Sequence, residues 1–204
     1  DLSKDGSKCY SSFPTSSEFI EYYSIIPDQD KHFNELIKSD KPFYEYYDLD
    51  IKLPQEYDIS IYNNENLFRW FDNIRYEFIQ SLSNDFLEKH RPKWIITVAS
   101  NKTKLSIHLV NQNTIFKSHS TFKQYYSLFK TYIQNFVNPN HPFSKSIDFC
   151  VSSNNRCMRL CLSSKIDSDR PLKLWNTLKD FDDVKNIKSI LIKLLILKYE
   201  CNWY

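Results

Sequence analysis

The chain has 204 residues, of which 41% are hydrophobic and 16% aromatic, and its formal net charge is +2 at pH 7. Such a chain is long and apolar enough to form a sizeable core, which excludes a disordered tail, and its small charge decides nothing about nucleic-acid binding. The single glycine, Gly6, excludes glycine-rich phosphate loops, dinucleotide-binding fingerprints and the nucleophile elbow of hydrolases.

The cysteines indicate a reducing environment and no structural zinc in this chain. They are Cys9, Cys150, Cys157, Cys161 and Cys201. Their spacing matches no zinc site, and an odd count without a signal peptide favours reduced thiols in an intracellular compartment. The apolar run SILIKLLILKY is too short and too interrupted by lysine to span a bilayer, so we expect no membrane partner.

The first half of the chain predicts two strands followed by a long helix. Residues 1–16 are expected to be irregular. The segments SSEFIEYYSII and KPFYEYYDLDIKL predict strands, and the polar PDQDKHFNELIKSD between them allows a short helix. The segment NENLFRWFDNIRYEFIQSLSNDFLEKH has apolar residues at helical spacing, with Asn63 or Asn64 as its cap.

The second half predicts hairpins that alternate with helices. PKWIITVAS and KLSIHLV, joined by NKT, predict a hairpin, and STFKQYYSLFKTYIQNFV predicts a helix ended by NPNHP. SIDFCV and RCMRLCLSS predict a second hairpin across SSNN, PLKLWN a strand, and residues 181–199 a last helix. Without repeats or a linker, the pattern indicates a single domain of the α+β class, with sheet covered by helices.

Two aspartates stand two positions apart in the predicted strand YYDLDIK. Side chains alternate along a strand, so Asp48 and Asp50 share one face while Leu49 points into the core. Two carboxylates this close repel each other and are costly to desolvate unless something positive lies between them. Aspartate is also depleted in strands. A divalent metal ion is therefore the candidate partner.

In two other predicted strands, polar side chains also recur at every second position and so lie on one face of the strand. In KLSIHLV, the polar set is Lys104, Ser106 and His108. In RCMRLCLSSK, Arg159 and Lys165 share parity, and Asp148 in SIDFCV is a third acid between apolar neighbours. The alternative explanation is the solvent-facing side of an antiparallel sheet, which is polar anyway. The other histidines are expected to be structural or solvated: His32, His90, His119 and His141.

Taken in order, three segments resemble the motifs of the archaeo-eukaryotic primase superfamily. YYDLDIK matches an acidic pair, KLSIHLV an S-x-H, and IDFCVSSNNRCMRLCLSSK a third Asp followed by N-R-x-x-R-L-x-x-S-S-K. The last motif, and YYSIIP upstream, are similar to the eukaryotic and giant-virus primase-polymerase (PrimPol) branch. Abundant Asn, Lys, Ile, Tyr and Phe beside scarce Gly and Ala agree with an AT-rich source such as a large DNA virus.

The resemblance implies a fold and an activity. The fold would be a catalytic core over residues 1–204, in which an N-terminal α/β module and an RRM-like module interleave. The activity would be nucleotidyl transfer from dNTP or NTP to a primer on a single-stranded DNA template, with two Mg²⁺ or Mn²⁺ ions. Hard cations prefer carboxylate oxygens, and a triphosphate needs cationic side chains where no glycine-rich loop exists.

The resemblance also assigns residues to roles. Asp48, Asp50 and Asp148 match the catalytic metal-binding carboxylates, although the cellular enzyme has Glu where this chain has Asp50. Nucleotide binding is implied for Ser106 and His108, which match the triphosphate contacts, for Lys104 beside them, and for Arg156, Arg159 and Lys165.

Two other classes of function remain open from the residues alone. One is a non-catalytic nucleic-acid-binding module of the same fold, and the other is a metal-dependent nuclease that uses the same acids. In relatives, a zinc element outside the core is associated with starting primers, and this sequence holds no such ligand cluster. We therefore expect the chain to extend a primer more readily than it starts one, with a zinc-binding or helicase domain outside this chain as a candidate partner.

Overall fold

The computed structural model describes residues 10–83, 91–166, 168–175, 191, 193 and 195–197. Its helices are α1 (Ser16–Ile25), α2 (Asn64–Leu82) and α3 (His119–Phe136), with short 3-10 turns at Asp28–Asp30 and Phe149–Ser152. Its strands are β1 (Asn34–Ile37), β2 (Phe43–Lys52), β3 (Trp94–Val98), β4 (Lys104–Phe116), β5 (Arg156–Arg159) and β6 (Lys173–Leu174). The predicted α+β class is confirmed.

Two antiparallel sheets organise these strands. The larger sheet has the order β2-β4-β3-β6, so the long β4 pairs with β2 on one side and with β3 on the other. The predicted β3–β4 hairpin and the predicted strand β2 are confirmed. The smaller sheet pairs β1 with β5. The predicted strand in PLKLWN forms only the two-residue β6 beside β3.

Helices α2 and α3 cover one face of the larger sheet. Tyr47 on β2 lies with its ring centroid 4.6 Å from that of Phe71 on α2 and 5.9 Å from that of Phe129 on α3. The Asn63 side chain caps α2 by accepting the Asn66 amide, as predicted. The helix ends at Leu82, and the rest of the predicted segment, residues 84–90, lies outside the described residues. The face opposite these helices carries Asp48 and Asp50.

The prediction of a strand at SSEFIEYYSII is wrong, because this segment forms α1. Thr15 caps the helix by accepting the Glu18 amide at 3.2 Å. Ile20 and Tyr23, three positions apart, are both buried in a small cluster with Leu160. The β-branched and aromatic residues of this segment favour a strand by propensity. The burial of residues at helical spacing outweighs that preference.

The predicted hairpin between SIDFCV and RCMRLCLSS is also wrong. The Asp148 side chain accepts the Cys150 amide at 2.8 Å and so caps a 3-10 turn, a local bond that competes with strand formation. Strand β5 pairs instead with β1, and β1 lies in the segment PDQDKHFNELIKSD, where the sequence allowed a short helix. The alternation of side chains predicted from Arg159 to Lys165 does not hold, because β5 ends at Arg159. Ser163, which was predicted on the same polar face, is buried.

Some predictions fall on residues that the structure does not describe. The predicted helix at 181–199 lies almost wholly outside the described residues, as does most of the run SILIKLLILKY. Among the helices that are described, none has the length and apolar character needed to cross a bilayer. Residues 10–15 are irregular as expected, whereas Ser16 begins α1.

A buried ion pair lies beneath the sheet at an irregularity of β2. The register with β4 shifts between Tyr44 and Glu45, and Glu45 then pairs with Asn111. Arg75 of α2 donates to both Glu45 oxygens, at 2.8 and 2.6 Å, and Asn111 donates to Oε2 at 2.7 Å. Burial alone raises the pKa of Glu45, but the Arg75 guanidinium outweighs burial and holds that pKa below its ordinary value. The carboxylate therefore stays ionised inside the core.

Replacing Arg75 by methionine should lower the free energy of unfolding by about 3–5 kcal/mol, because it leaves the Glu45 carboxylate buried without its cation. Burial would then raise the pKa of Glu45 against only the hydrogen bonds from Tyr47 and Asn111, so the loss should be smaller at about pH 5 than at about pH 8. Urea unfolding followed by circular dichroism measures both effects. The control is Arg69→Met, which breaks the exposed Arg69–Glu65 pair. An Arg75→Met loss no larger than the control's would contradict the assignment.

Candidate functional site

The pairing of β2 with β4 brings two of the predicted motifs together. Asp48 lies opposite His108 and Asp50 opposite Ser106, and directly opposed residues of an antiparallel pair share a face. Lys104 Nζ lies 2.6 Å from Asp50 Oδ2, and His108 Nε2 lies 3.6 Å from Asp48 Oδ1. The predicted face of Asp48 and Asp50 and the predicted face of Lys104, Ser106 and His108 are therefore one face of the larger sheet.

The third predicted acid reaches the same place through backbone hydrogen bonds. The Asp148 amide donates to the Asp48 carbonyl at 2.9 Å, and the Asp50 amide donates to the Ser146 carbonyl at 2.7 Å. Residues 146–148 therefore run along the free edge of β2. The Asp148 carboxylate accepts from Arg156 Nη2 at 3.2 Å.

The remaining predicted cations lie near this face, although β5 is outside the larger sheet. Arg156 contacts Asp148, and the positive charge of Arg159 acts on Asp48 and on Asp50. Lys165 is exposed, and its charge is one of the influences that lower the pKa of His108. All nine predicted site residues therefore belong to one neighbourhood, which we call the acid face: Asp48, Asp50, Lys104, Ser106, His108, Asp148, Arg156, Arg159 and Lys165.

Three further residues, which sequence reasoning missed, contact the segments that carry or border the acid face. Arg170 lies next to Arg159, because the Arg170 carbonyl accepts a hydrogen bond from Arg159 Nη1 at 3.2 Å. The Arg170 guanidinium donates to the Ala99 carbonyl at 3.3 Å. Buried Glu35 accepts the backbone amides of residues 196 and 197, both at 2.8 Å. Tyr23 donates to the Cys161 carbonyl at 2.6 Å, just before the S-S-K run. No local pattern marks these residues, because each acts through partners distant in sequence.

The two strand acids have opposite electrostatic environments. Burial, followed by the charges of Asp50 and Asp148, raises the pKa of Asp48 to about 7. Burial also raises the pKa of Asp50, but hydrogen bonds from Lys104 and Ser106 outweigh it, and the net pKa lies below the ordinary value. At neutral pH, Asp50 is therefore ionised while Asp48 is close to half protonated.

The histidine on this face is neutral. Burial, and then the positive charge of Arg159, lower the pKa of His108 to about 3. The contact between His108 and Asp48 is consequently not an ion pair at neutral pH. A neutral imidazole carries one N–H, which it can donate to an anionic oxygen.

The oxygen atoms of the acid pair fit a divalent cation. Among the described residues, Asp48 Oδ1 and Asp50 Oδ1 are buried and accept no hydrogen bond. Buried acceptors without a partner are unusual, and hard cations bind such carboxylate oxygens. In the same part of the chain, no group of three or more His, Cys, Asp or Glu side chains is arranged to hold a metal ion. Asp148 would have to exchange Arg156 for the cation to become the third ligand.

Comparison with known proteins supplies no relative, because no family model matches the chain and no curated protein matches it either. The likeness to primase-polymerases therefore depends on the three sequence motifs.

Neutralising each strand acid in turn should change stability in opposite directions. Because the folded pKa of Asp48 lies above its unfolded value near 3.8, ionisation destabilises the fold as pH rises from about 4 to about 7. Asp48→Asn should therefore raise the free energy of unfolding at about pH 8, by on the order of 2–4 kcal/mol, and by less at about pH 5.

Asp50 is the matched control for this prediction. Its pKa is lowered, so it contributes stability above its unfolded pKa that is lost as pH falls. Asp50→Asn should therefore destabilise the protein at about pH 8. Urea unfolding in the presence of EDTA compares the two variants with the wild type. Equal shifts in the same direction would show that the two carboxylates do not differ in environment.

Proposed function

We propose that the protein is a template-directed DNA nucleotidyltransferase, a primase-polymerase that adds dNTP or NTP units to a primer on a single-stranded DNA template. The observation that carries the proposal is the acid face itself. Three sequence segments that resemble the family's motifs meet there, and the buried oxygens of Asp48 and Asp50 lie beside several cationic side chains. Strand alternation alone would not bring Asp148, which comes from a turn, to the same place.

The arginines of the acid face are suited to binding an anionic substrate, because some of their N–H groups have no hydrogen-bond acceptor in the described part of the protein. Arg159 Nε and Arg156 Nε are buried without a hydrogen-bond partner among the described residues. Arg159 also repels its neighbour Arg170, which helps to lower its pKa after burial. A triphosphate would bring charges that satisfy these donors, and guanidinium groups bind phosphate oxygens in bidentate fashion. Arg159, with Lys165 nearby, is the proposed triphosphate anchor.

The acids supply the other half of the site. Asp48 and Asp50 would hold Mg²⁺ or Mn²⁺ through their unpartnered oxygens, with Asp148 as the third carboxylate. A bound divalent ion would stabilise charge on the attacking and leaving oxygens of phosphoryl transfer. Lys104 keeps Asp50 ionised, and His108 in its neutral form can donate to a phosphate oxygen. Ser106, opposite Asp50, helps to lower the pKa of that carboxyl.

A second candidate function has one observation in its favour. Arg156 binds the Asp148 carboxylate at 3.2 Å, and a protein that keeps this pair permanently would lack the third metal ligand. Such a protein would be a nucleic-acid-binding module without catalysis. It would bind DNA but would show no metal-dependent affinity for a nucleoside triphosphate, whereas a polymerase needs both.

The test is primer extension with a labelled primer, a single-stranded template overhang, and Mg²⁺ or Mn²⁺ with dNTPs or rNTPs in separate reactions. We expect extension by the wild type and by Asp40→Ala, which removes an exposed acid that is not a member of the acid face. Asp48→Ala, Asp50→Ala and Asp148→Ala should abolish it. Shortening of the primer without extension would indicate a nuclease instead, and DNA binding without any reaction would indicate the non-catalytic module.

The phosphate contacts should give a graded result rather than a complete loss. His108→Ala and Arg159→Ala should each raise KM for nucleotide about 10- to 150-fold, since a hydrogen bond to a charged group is worth about 1.5–3 kcal/mol. Single-nucleotide incorporation at varied dNTP concentration measures the effect. Weaker template binding at an unchanged KM would contradict the assignment of His108 to the triphosphate.

A further inference from the structure

A cleft outside the acid face lies between the start of α2 and the loop at 138–146. Its volume is about 290 Å³, and its lining includes Asn66, Arg69, Trp70 and His141. The rings of Trp70 and His141 are nearly parallel, with an interplanar angle of 12° and centroids 5.5 Å apart. The cleft therefore combines stacked aromatic rings with a cation at its wall.

The stacked rings are held in place by their surroundings. His141 Nδ1 accepts the Phe143 amide at 3.2 Å, and the Phe143 ring packs edge-on against both His141 and Trp70. Phe143 itself is buried in the main core. Because burial lowers the pKa of His141, its ring is neutral at neutral pH and presents a flat π surface. A ligand that stacks here would lose little freedom of the protein side chains.

Arg69 is available to an anion at the mouth of the cleft. Its only described ion pair is with Glu65, one helical turn away, at 2.5 Å. The two side chains are 72% and 56% exposed, and such pairs contribute little free energy because water and salt screen them. A phosphate group could therefore replace Glu65 at low cost. Stacked rings beside an accessible guanidinium are the combination that binds bases and backbone of single-stranded nucleic acid.

The cleft is connected to the acid face by a short run of backbone. The Ser146 amide donates to the Phe143 carbonyl at 2.9 Å, and the Ser146 carbonyl accepts the Asp50 amide at 2.7 Å. The five peptide units from His141 to Ser146 can span at most about 18 Å. At ~3.4 Å per nucleotide along a stacked strand, the separation is at most about five nucleotides, within the range of known single-strand sites. Lys145, which is exposed, lies in between.

We propose that the cleft formed by Arg69, Trp70 and His141 is a base-stacking subsite for single-stranded nucleic acid. It rests on the proposed function, in which it holds the template strand a few nucleotides from the acid face. One base stacks on the exposed part of the Trp70–His141 pair, and Arg69 binds an adjacent phosphate.

Fluorescence anisotropy of a labelled oligothymidylate with the full chain tests the stacking. Trp70→Ala should weaken binding about 5- to 150-fold, the loss of one stacked base, while Trp70→Phe keeps most of the affinity. His141→Ala should also weaken binding. Tyr76→Ala is the matched control, because Tyr76 is an aromatic residue on the same helix that is 54% exposed and lies outside the cleft lining.

The charge is tested by the salt dependence. Arg69→Ala should reduce the slope of log affinity against log salt concentration by about 0.7, the value for one phosphate contact on a single strand. Lys123→Ala, which removes an exposed cation on α3, should leave the slope unchanged. Unfolding curves identify any variant that fails to fold, and His141→Ala and Trp70→Phe decide the question if Trp70→Ala is one of them.

The outcomes separate this proposal from the proposed function. The wild type is also titrated with dATP and Mn²⁺ in the absence of DNA. Binding of oligothymidylate through Trp70 without affinity for dATP would keep the subsite and overturn the nucleotidyltransferase. Affinity for dATP, with oligothymidylate binding no more sensitive to Trp70→Ala and His141→Ala than to the Tyr76→Ala control, would overturn the subsite alone.

Discussion

The antiparallel pairing of β2 with β4 is the constraint on which the candidate site depends. It places Asp48 opposite His108 and Asp50 opposite Ser106, on the face that helices α2 and α3 leave uncovered. A slip of one residue would turn both aspartates into the aromatic core and Leu49 out of it. The register is fixed from the core side, where Leu49, Ile107 and Leu109 are fully buried. The apolar face of the sheet therefore determines the geometry of the polar face.

Buried carboxylates on the two faces of this sheet differ in their hydrogen bonding. On the helix side, Glu45 is satisfied by Arg75, Asn111 and two tyrosine hydroxyls, so this carboxylate is ionised and fully bonded. On the opposite side, Asp48 has an oxygen without a partner and a pKa raised to about 7. A carboxylate that served only to stabilise the fold would be expected to be fully hydrogen-bonded, as Glu45 is. The incomplete bonding of Asp48 is typical of sites that keep binding capacity for a ligand.

Much of this site could be predicted from the sequence, because its central elements follow a regular period. Alternation along YYDLDIK and KLSIHLV predicts the polar face of each strand, whereas the pairing of β2 with β4 that joins the two faces is seen only in the structure. The segments that were predicted wrongly are governed by contacts between distant parts of the chain. The pairing of β1 with β5 leaves no local pattern, and the role of Arg170 depends on the fold around Arg159. Asp148 was predicted in a strand, but it lies at the start of a 3-10 turn, because a capping bond from the Cys150 amide replaces the strand.

The most direct test of the central claim, that the acid face binds a metal-complexed nucleoside triphosphate, is electron paramagnetic resonance of Mn²⁺ titrated into the protein with dATP. Metal binding requires the ionised form of Asp48, so affinity should rise between about pH 6 and about pH 8. Asp48→Asn and Asp50→Asn should each abolish binding at every pH. A spectrum that stays that of Mn²⁺ with dATP alone at every pH, or binding by either variant as tight as that of the wild type, would contradict the account.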